Sequence, residues 1–436
     1  MHAARSFSRL GFERLAPRCM LSGGSAIAIS AVFDYTGIGR LNTTTSLYDP
    51  AAQPIRGAYV VVFGSGSPAL ASAYTNDSGA ISLSVTPPAD NTGFYFVIET
   101  ASNPQTATGI YRVVMPDRTS MPYSFTTQTF SYDYTAPPQS LNAGTVAIPD
   151  TLANLTVDSA FAAFDGLTVA AEYADTLVTA AQMGGADLRL VYPYTPPFDA
   201  TGLQAGTHYS FSATSHKTVY LVSDQAFSID TISHEYGHYI ADVVGFGNSL
   251  TGDLSHSSLQ NLRNGALPKS TAVVLALEEG WADYFAVAAE MNTEAGLADA
   301  GIPELISNEY DSLESGAFGL NVSFTDGFDL GTDTGRTVSI AGSVVATPQY
   351  GLGEDNEVTI ARILYALDTG SFMTVGGQVQ MPAIGGAGVF NMMVTLKPQS
   401  LQNIWSYLVN SVESADDYAT LFPYASLFRV FSGICG

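Results

Sequence analysis

Between about Ser30 and Ala136 the apolar residues come in short alternating runs, broken by turn residues. Ala58-Tyr-Val-Val-Val-Phe63, Ala80-Ile-Ser-Leu-Ser-Val85 and Phe94-Tyr-Phe-Val-Ile98 are the clearest, with Asn76-Asp-Ser-Gly79 and Pro87-Pro88 between them. Side chains alternate faces along a strand, so this spacing predicts an all-β sandwich over residues 26–140. Past the Pro-rich stretch Ala136–Ser140 the apolar period lengthens toward that of a helix. Phe161, Phe164, Val169 and Tyr173 share one face and predict a helix over 158–177. Asp187–Tyr192 and Thr218–Val222 read as strands. A helix then starts near Ser228 or Asp230 and stops at Gly245, and a second runs from Ser270, behind Pro268, to about Asn292. Residues 316–353 return to strands and Gly/Asp turns. Helices follow at about 357–368, 400–413 and 416–431. The pattern predicts a multidomain chain: a leading segment 1–25, the sandwich, and an α+β domain over 145–436 with a helical end.

Composition narrows the classes of function. Of 436 residues, 46% are hydrophobic and only 13% charged, which describes a globular chain rather than a disordered one. Acids outnumber bases 40 to 16, a net charge of −24, and a surface of that sign repels phosphate backbones and anionic lipid, so no nucleic-acid partner is expected. The acidity owes as much to missing bases, since Lys217, Lys269 and Lys397 are the only lysines. Cys19 and Cys435 are too few for a disulfide framework and exclude a thiolate metal site. No apolar run approaches the roughly 20 residues of a membrane span. The leading segment carries Arg5, Arg9, Arg14 and Arg18 against Glu13, a targeting composition.

Chemistry concentrates in the two long helices. His234-Glu-Tyr-Gly-His238 places two imidazoles one turn apart on one helix face, where each can give a nitrogen to one zinc ion, with Glu235 beside them. A chance H-E-x-x-H in a chain with so few histidines is expected about 0.003 times, so composition does not account for it. A zinc site needs a third protein ligand from a neighbouring element. Glu278-Glu279-Gly-Trp-Ala-Asp283 sets carboxylates in an otherwise apolar helix, where an unpaired buried charge costs several kcal/mol. Glu279 and Asp283 are one turn apart, so if Glu279 binds zinc, Asp283 can accept the outer ring N–H of a ligand histidine. Glu278, pointing about 100° away, is the rival ligand.

These two motifs together resemble the gluzincin metallopeptidases, closest in wording to the fungalysin type and more distantly to thermolysin-like enzymes. The resemblance covers roughly residues 150–436. It implies a zincin-like metallopeptidase domain with His234, His238 and Glu279 as zinc ligands and Glu235 as general base. Asp283 would hold a ligand histidine, and the strand Thr218–Val222 would form the sheet edge lining the cleft. The implied activity is zinc-dependent endoproteolysis of protein or peptide substrates. Family members stabilise the oxyanion with a later histidine, yet this chain has none after His256. His256 and Tyr350 are the candidates for that place, with Arg362 and Tyr365 as alternatives. The missing histidine also motivates a second expectation, a surface or adhesion protein with a catalytically degenerate zincin domain. Calcium is the other metal expectation, at Asp326, Asp329 and Asp333, although their spacing is not that of an EF-hand.

Two further resemblances bear on the rest of the chain. Phe12-Glu-Arg-Leu-Ala-Pro-Arg-Cys-Met-Leu-Ser22 is similar to the LEPR-XLL motif of bacterial secreted and surface proteins, with Ala16 in place of its Glu. It implies a protein that is secreted or held at the cell surface. The order of turns and strands from Pro54 to the Tyr/Phe-rich run is similar to carboxypeptidase-regulatory-like sandwiches, which implies an accessory module.

Overall fold

A computed structural model describes residues 26–42, 47–88, 92–103, 109–132, 140–149, 155–195, 206–210, 217–247, 267–299, 337–340, 343–346, 354–374, 377–410 and 424–428. The first half is built of strands β1 (Ile27–Asn42), β2 (Leu47–Pro54), β3 (Tyr59–Gly64), β4 (Ala69–Tyr74), β5 (Ala80–Val85) and β6 (Gly93–Glu99). Then come β7 (Ile110–Met115), β8 (Arg118–Pro122), β9 (Ser124–Thr126), β10 (Phe130–Ser131) and β11 (Ser140–Ala147). The alternation in β1 turns Ile27, Ile29, Ala31 and Phe33 inward, and all four are buried. β1 pairs with β2 and β5 antiparallel and with β11 parallel. A second sheet runs β10-β6-β3-β4, with β9 on β6. Phe33 of the first sheet meets Phe96 of the second edge to face, at a centroid distance of 5.7 Å. The two sheets meet in a sandwich-like arrangement.

The second half holds α1 (Leu155–Leu177), α2 (Ala180–Met183), β12 (Asp187–Tyr194), β13 (His208–Ser210), β14 (Lys217–Val222), α3 (Ile229–Val244) and α4 (Lys269–Asp299). The hairpin β15 (Thr337–Ile340) and β16 (Ser343–Ala346) follows, then α5 (Glu357–Thr369), β17 (Ser371–Thr374), β18 (Gly377–Gln380), α6 (Gly385–Leu396) and α7 (Leu401–Asn410). Together the halves make an α+β protein with a helical C-terminal region. Of the terminal helix expected over 416–431, residues 424–428 are described and are helical.

One sheet crosses the boundary expected at 140–145. Its order is β13-β14-β12-β7-β8, so two strands from the sandwich range complete the sheet beneath the helices. β7 pairs in parallel with β12, Ile110 opposite Asp187 through Val114 opposite Val191. In exchange β11, beyond the expected linker, returns to the first sheet beside β1. Alternation looks the same whichever sheet a strand joins, so the pattern carries no sign of the exchange. β14, expected as the sheet edge, is internal: β13 lies outside it, antiparallel, with His208 opposite Tyr220.

Glycines set how closely the helices approach. A methyl on Gly166 of α1 would sit 2.9 Å from Cδ1 of Ile232 in α3. One on Gly280 of α4 would sit 2.5 Å from the carbonyl oxygen of Glu357, at the start of α5. α3 ends at Gly245, whose φ of 79° is the left-handed cap that glycine adopts without strain. Glycine to alanine inside a helix normally gains about 0.5–1 kcal/mol. Gly166→Ala should instead lose about 1–3 kcal/mol to overpacking, and Gly280→Ala more, because backbone rather than a side-chain tip blocks it. Thermal unfolding of both variants checks the order.

Candidate metal centre

α3 and α4 cross with Gly237 on Ala282: a methyl on Gly237 would lie 3.0 Å from the Ala282 Cα. The Trp281 indole N–H donates to the Gly237 carbonyl at 3.0 Å and fixes the register. That register brings His234 and His238 of α3 against Glu279 and Asp283 of α4, all four buried. The two Nε2 atoms stand 3.1 Å apart, and the Glu279 Oε2 lies 3.2 Å from that of His234 and 3.0 Å from that of His238. The His234 Nδ1 lies 2.9 Å from the Asp283 Oδ1. An ionised carboxylate only accepts, so the ring proton of His234 belongs on Nδ1 and the Nε2 lone pair faces inward.

The donor set fits a metal ion. Three lone-pair atoms converge on one point, a repulsive arrangement unless a cation holds them together. Ligands at the 2.0–2.1 Å typical of zinc in tetrahedral order stand about 3.3 Å from one another, close to the edges observed. Among the described residues His234, His238 and Glu279 form the one group of three or more metal-ligating side chains that converges in this way. Glu279, not Glu278, therefore completes the triad. Glu278 lines a cavity of about 10 Å³ with His238, Ala241, Phe246, Leu277, Trp281 and Met393. That space admits a single water.

Charge around the triad is one-sided. Glu235, Glu278, Glu279 and Asp283 are all buried within this helix pair. Burial pushes the His234 imidazole down, but the hydrogen bonds to Asp283 and Glu279 and the charges of Asp283 and Glu235 outweigh it and hold its pKa well above the usual value. Without metal the site therefore takes up a proton, and proton and metal compete for it. At the far end of α3, Asp242 accepts from the Tyr209 hydroxyl at 2.6 Å and pairs with Lys217 at 2.5 Å, tying the helix to β13 and β14.

Of the other expected residues, Tyr365 is turned away, since its hydroxyl meets the Met291 sulfur at 3.3 Å, twelve residues along α4 from Glu279. Arg362 is buried in α5. His256, Tyr350, Asp326, Asp329 and Asp333 lie outside the described residues. The sequence reading missed the Trp281–Gly237 lock and the Tyr209–Asp242–Lys217 clamp. A glycine inside the first motif was the one available sign of the close crossing.

No protein-family model matches the chain, and no curated protein does. Two solved chains match. One is a 9R-lipoxygenase from Cyanothece, 11% identical, with a TM-score of 0.18 over 35% of this chain and 24% of that one. An overlap that slight does not relate the two folds.

The purified protein should bind one equivalent of a divalent transition metal, measured by elemental analysis. His234→Ala and Glu279→Ala should abolish binding, and Asp283→Asn should weaken it about 10–100-fold in a chelator competition. Zinc added to stripped protein in weak buffer at neutral pH should release protons, because His234 gives up the one it holds.

Proposed function

We propose that this protein is a zinc-dependent metallopeptidase in which Glu235 is the general base. The observation that carries the reading is the triad of two imidazole nitrogens and a carboxylate oxygen within 3.2 Å, with a second carboxylate, Glu235, one residue after the first ligand. Two nitrogens and one oxygen are a set that zinc accepts, leaving a position open for substrate. When bound, the cation would polarise a carbonyl oxygen as a Lewis acid. Glu235 accepts a proton from the attacking water and returns it to the leaving amine. Asp283 holds the His234 ring in the orientation that turns Nε2 inward, and the apolar walls of α3 and α4 keep bulk water from the charges.

Peptide rather than another amide as substrate rests on the wording of the two motifs, and export on the N-terminal segment. A degenerate zincin-domain binding protein is the second reading, favoured by the lack of any histidine after His256. A peptide-library or casein assay with metal analysis separates the two. Glu235→Gln should keep its zinc and lose at least about 100-fold in kcat/KM. Zinc in both proteins with hydrolysis by neither supports the second reading, and a wild-type protein that takes up no metal removes both.

A further inference from the structure

α1 carries three acids at seven-residue intervals, Asp158, Asp165 and Glu172, and such a spacing returns to nearly the same side of a helix every two turns. All three are engaged by the N-terminal sheets. The Arg56 guanidinium, only 2% exposed, donates from Nε to the Asp165 Oδ1 at 2.9 Å and brings Nη2 within 2.7 Å of the same oxygen. Its Nη1 reaches the Glu172 Oε2 at 3.0 Å. The Tyr35 hydroxyl donates to the other Asp165 oxygen at 3.1 Å, and the Thr36 backbone N–H to Asp158 at 3.0 Å. Burial works against the Arg56 charge, yet Asp165 and Glu172 hold its pKa above the ordinary value. Removing one partner of such a pair leaves the other charged in a low-dielectric interior.

Elsewhere the same helix supports the metal centre. Gly166 receives Ile232, two residues before His234, and the Tyr173 hydroxyl lies 3.2 Å from that of Tyr284, the residue after Asp283. α1 is thus a shared beam between the sandwich and the ligand helices. One ladder adds to the bond: β7 lies against β12, so that strands of the first half are seated in the sheet of the second.

We infer that the N-terminal β-module is a permanently seated structural partner of the metal-site half, and not a prosegment released on maturation or a detachable binding module. Release of this module after a cut between β11 and α1 would have to extract β7 and β8 from the five-stranded sheet, exposing the β12 edge, and strip Asp165 and Glu172 of their arginine. The surface that α1 offers to this partner is acidic and apolar, and among the described residues the buried cation that answers it is Arg56.

The test uses the full chain with a recognition sequence for a site-specific protease placed in residues 150–154. After complete cleavage the two fragments should co-elute at the full-chain volume in native buffer and separate only in denaturant, with metal content unchanged. Arg56→Met in the same background should raise the dissociation constant of the nicked pair at least tenfold. Arg56→Met with Asp165→Leu should recover much of that loss, because the uncompensated charge is gone. Fragments that separate without denaturant, or a C-terminal fragment that keeps its fold and metal alone, would overturn the inference. So would an Arg56→Met nicked pair as tight as the parent. None of these readouts requires peptidase activity, so failure here is distinct from failure of the catalytic reading.

Discussion

With Gly237 against the backbone of Ala282, α3 and α4 lie closer than two helices bearing ordinary side chains. Everything at the candidate centre depends on that distance. A wider crossing would carry the Glu279 oxygen out of reach of the two imidazoles and separate His234 from Asp283. The Trp281 indole, hydrogen-bonded to the same glycine's carbonyl, makes the close approach a specific register as well as a short spacing. A ring of apolar contacts then keeps the pair from sliding, with Tyr236 stacked on Phe285 and Trp281 set edge-on to Phe246.

Closeness has an electrostatic consequence. Glu235, Glu278, Glu279 and Asp283 are buried with two imidazoles where α3 and α4 meet, largely shielded from solvent. Such a group is stable only with positive charge at its middle, whether a proton on His234 or a metal ion. Folding and cation uptake are therefore linked equilibria in this molecule. Arg56 shows the same logic at a second place, where a permanent cation answers Asp165 and Glu172 instead of an exchangeable one.

What the sequence revealed divides along the range of the interactions. The i, i+4 spacing of His234 and His238 and the Glu279/Asp283 pair are local, so the meeting of these four side chains was legible before any fold was known. The end of α3 at Gly245 followed from capping chemistry. Strand partners were not legible: β7 and β3 alternate alike, yet they join different sheets. α6 went unseen because Gly385, Gly386 and Gly388 make its first turn read as a loop, and the Asp368 carboxylate that receives the Gly386 N–H comes from another helix. Glu278 and Glu279 were ambiguous because their difference is one of rotation about α4, settled only by what packs on each side.

The scarcity of lysine gives the molecule an unusual chemical profile toward amine-directed reagents. Lys217 is engaged with Asp242, and the Lys397 ammonium lies against the last turn of α3, 3.5 Å from where a Gly245 side chain would begin. Lys269, 62% exposed and paired with Glu354 at 3.1 Å, is the first residue of α4, and Lys397 is exposed as well. Acylating reagents or activated surfaces that act through lysine would thus reach α4 at its first residue, and any force or label applied there enters the helix that carries Glu279.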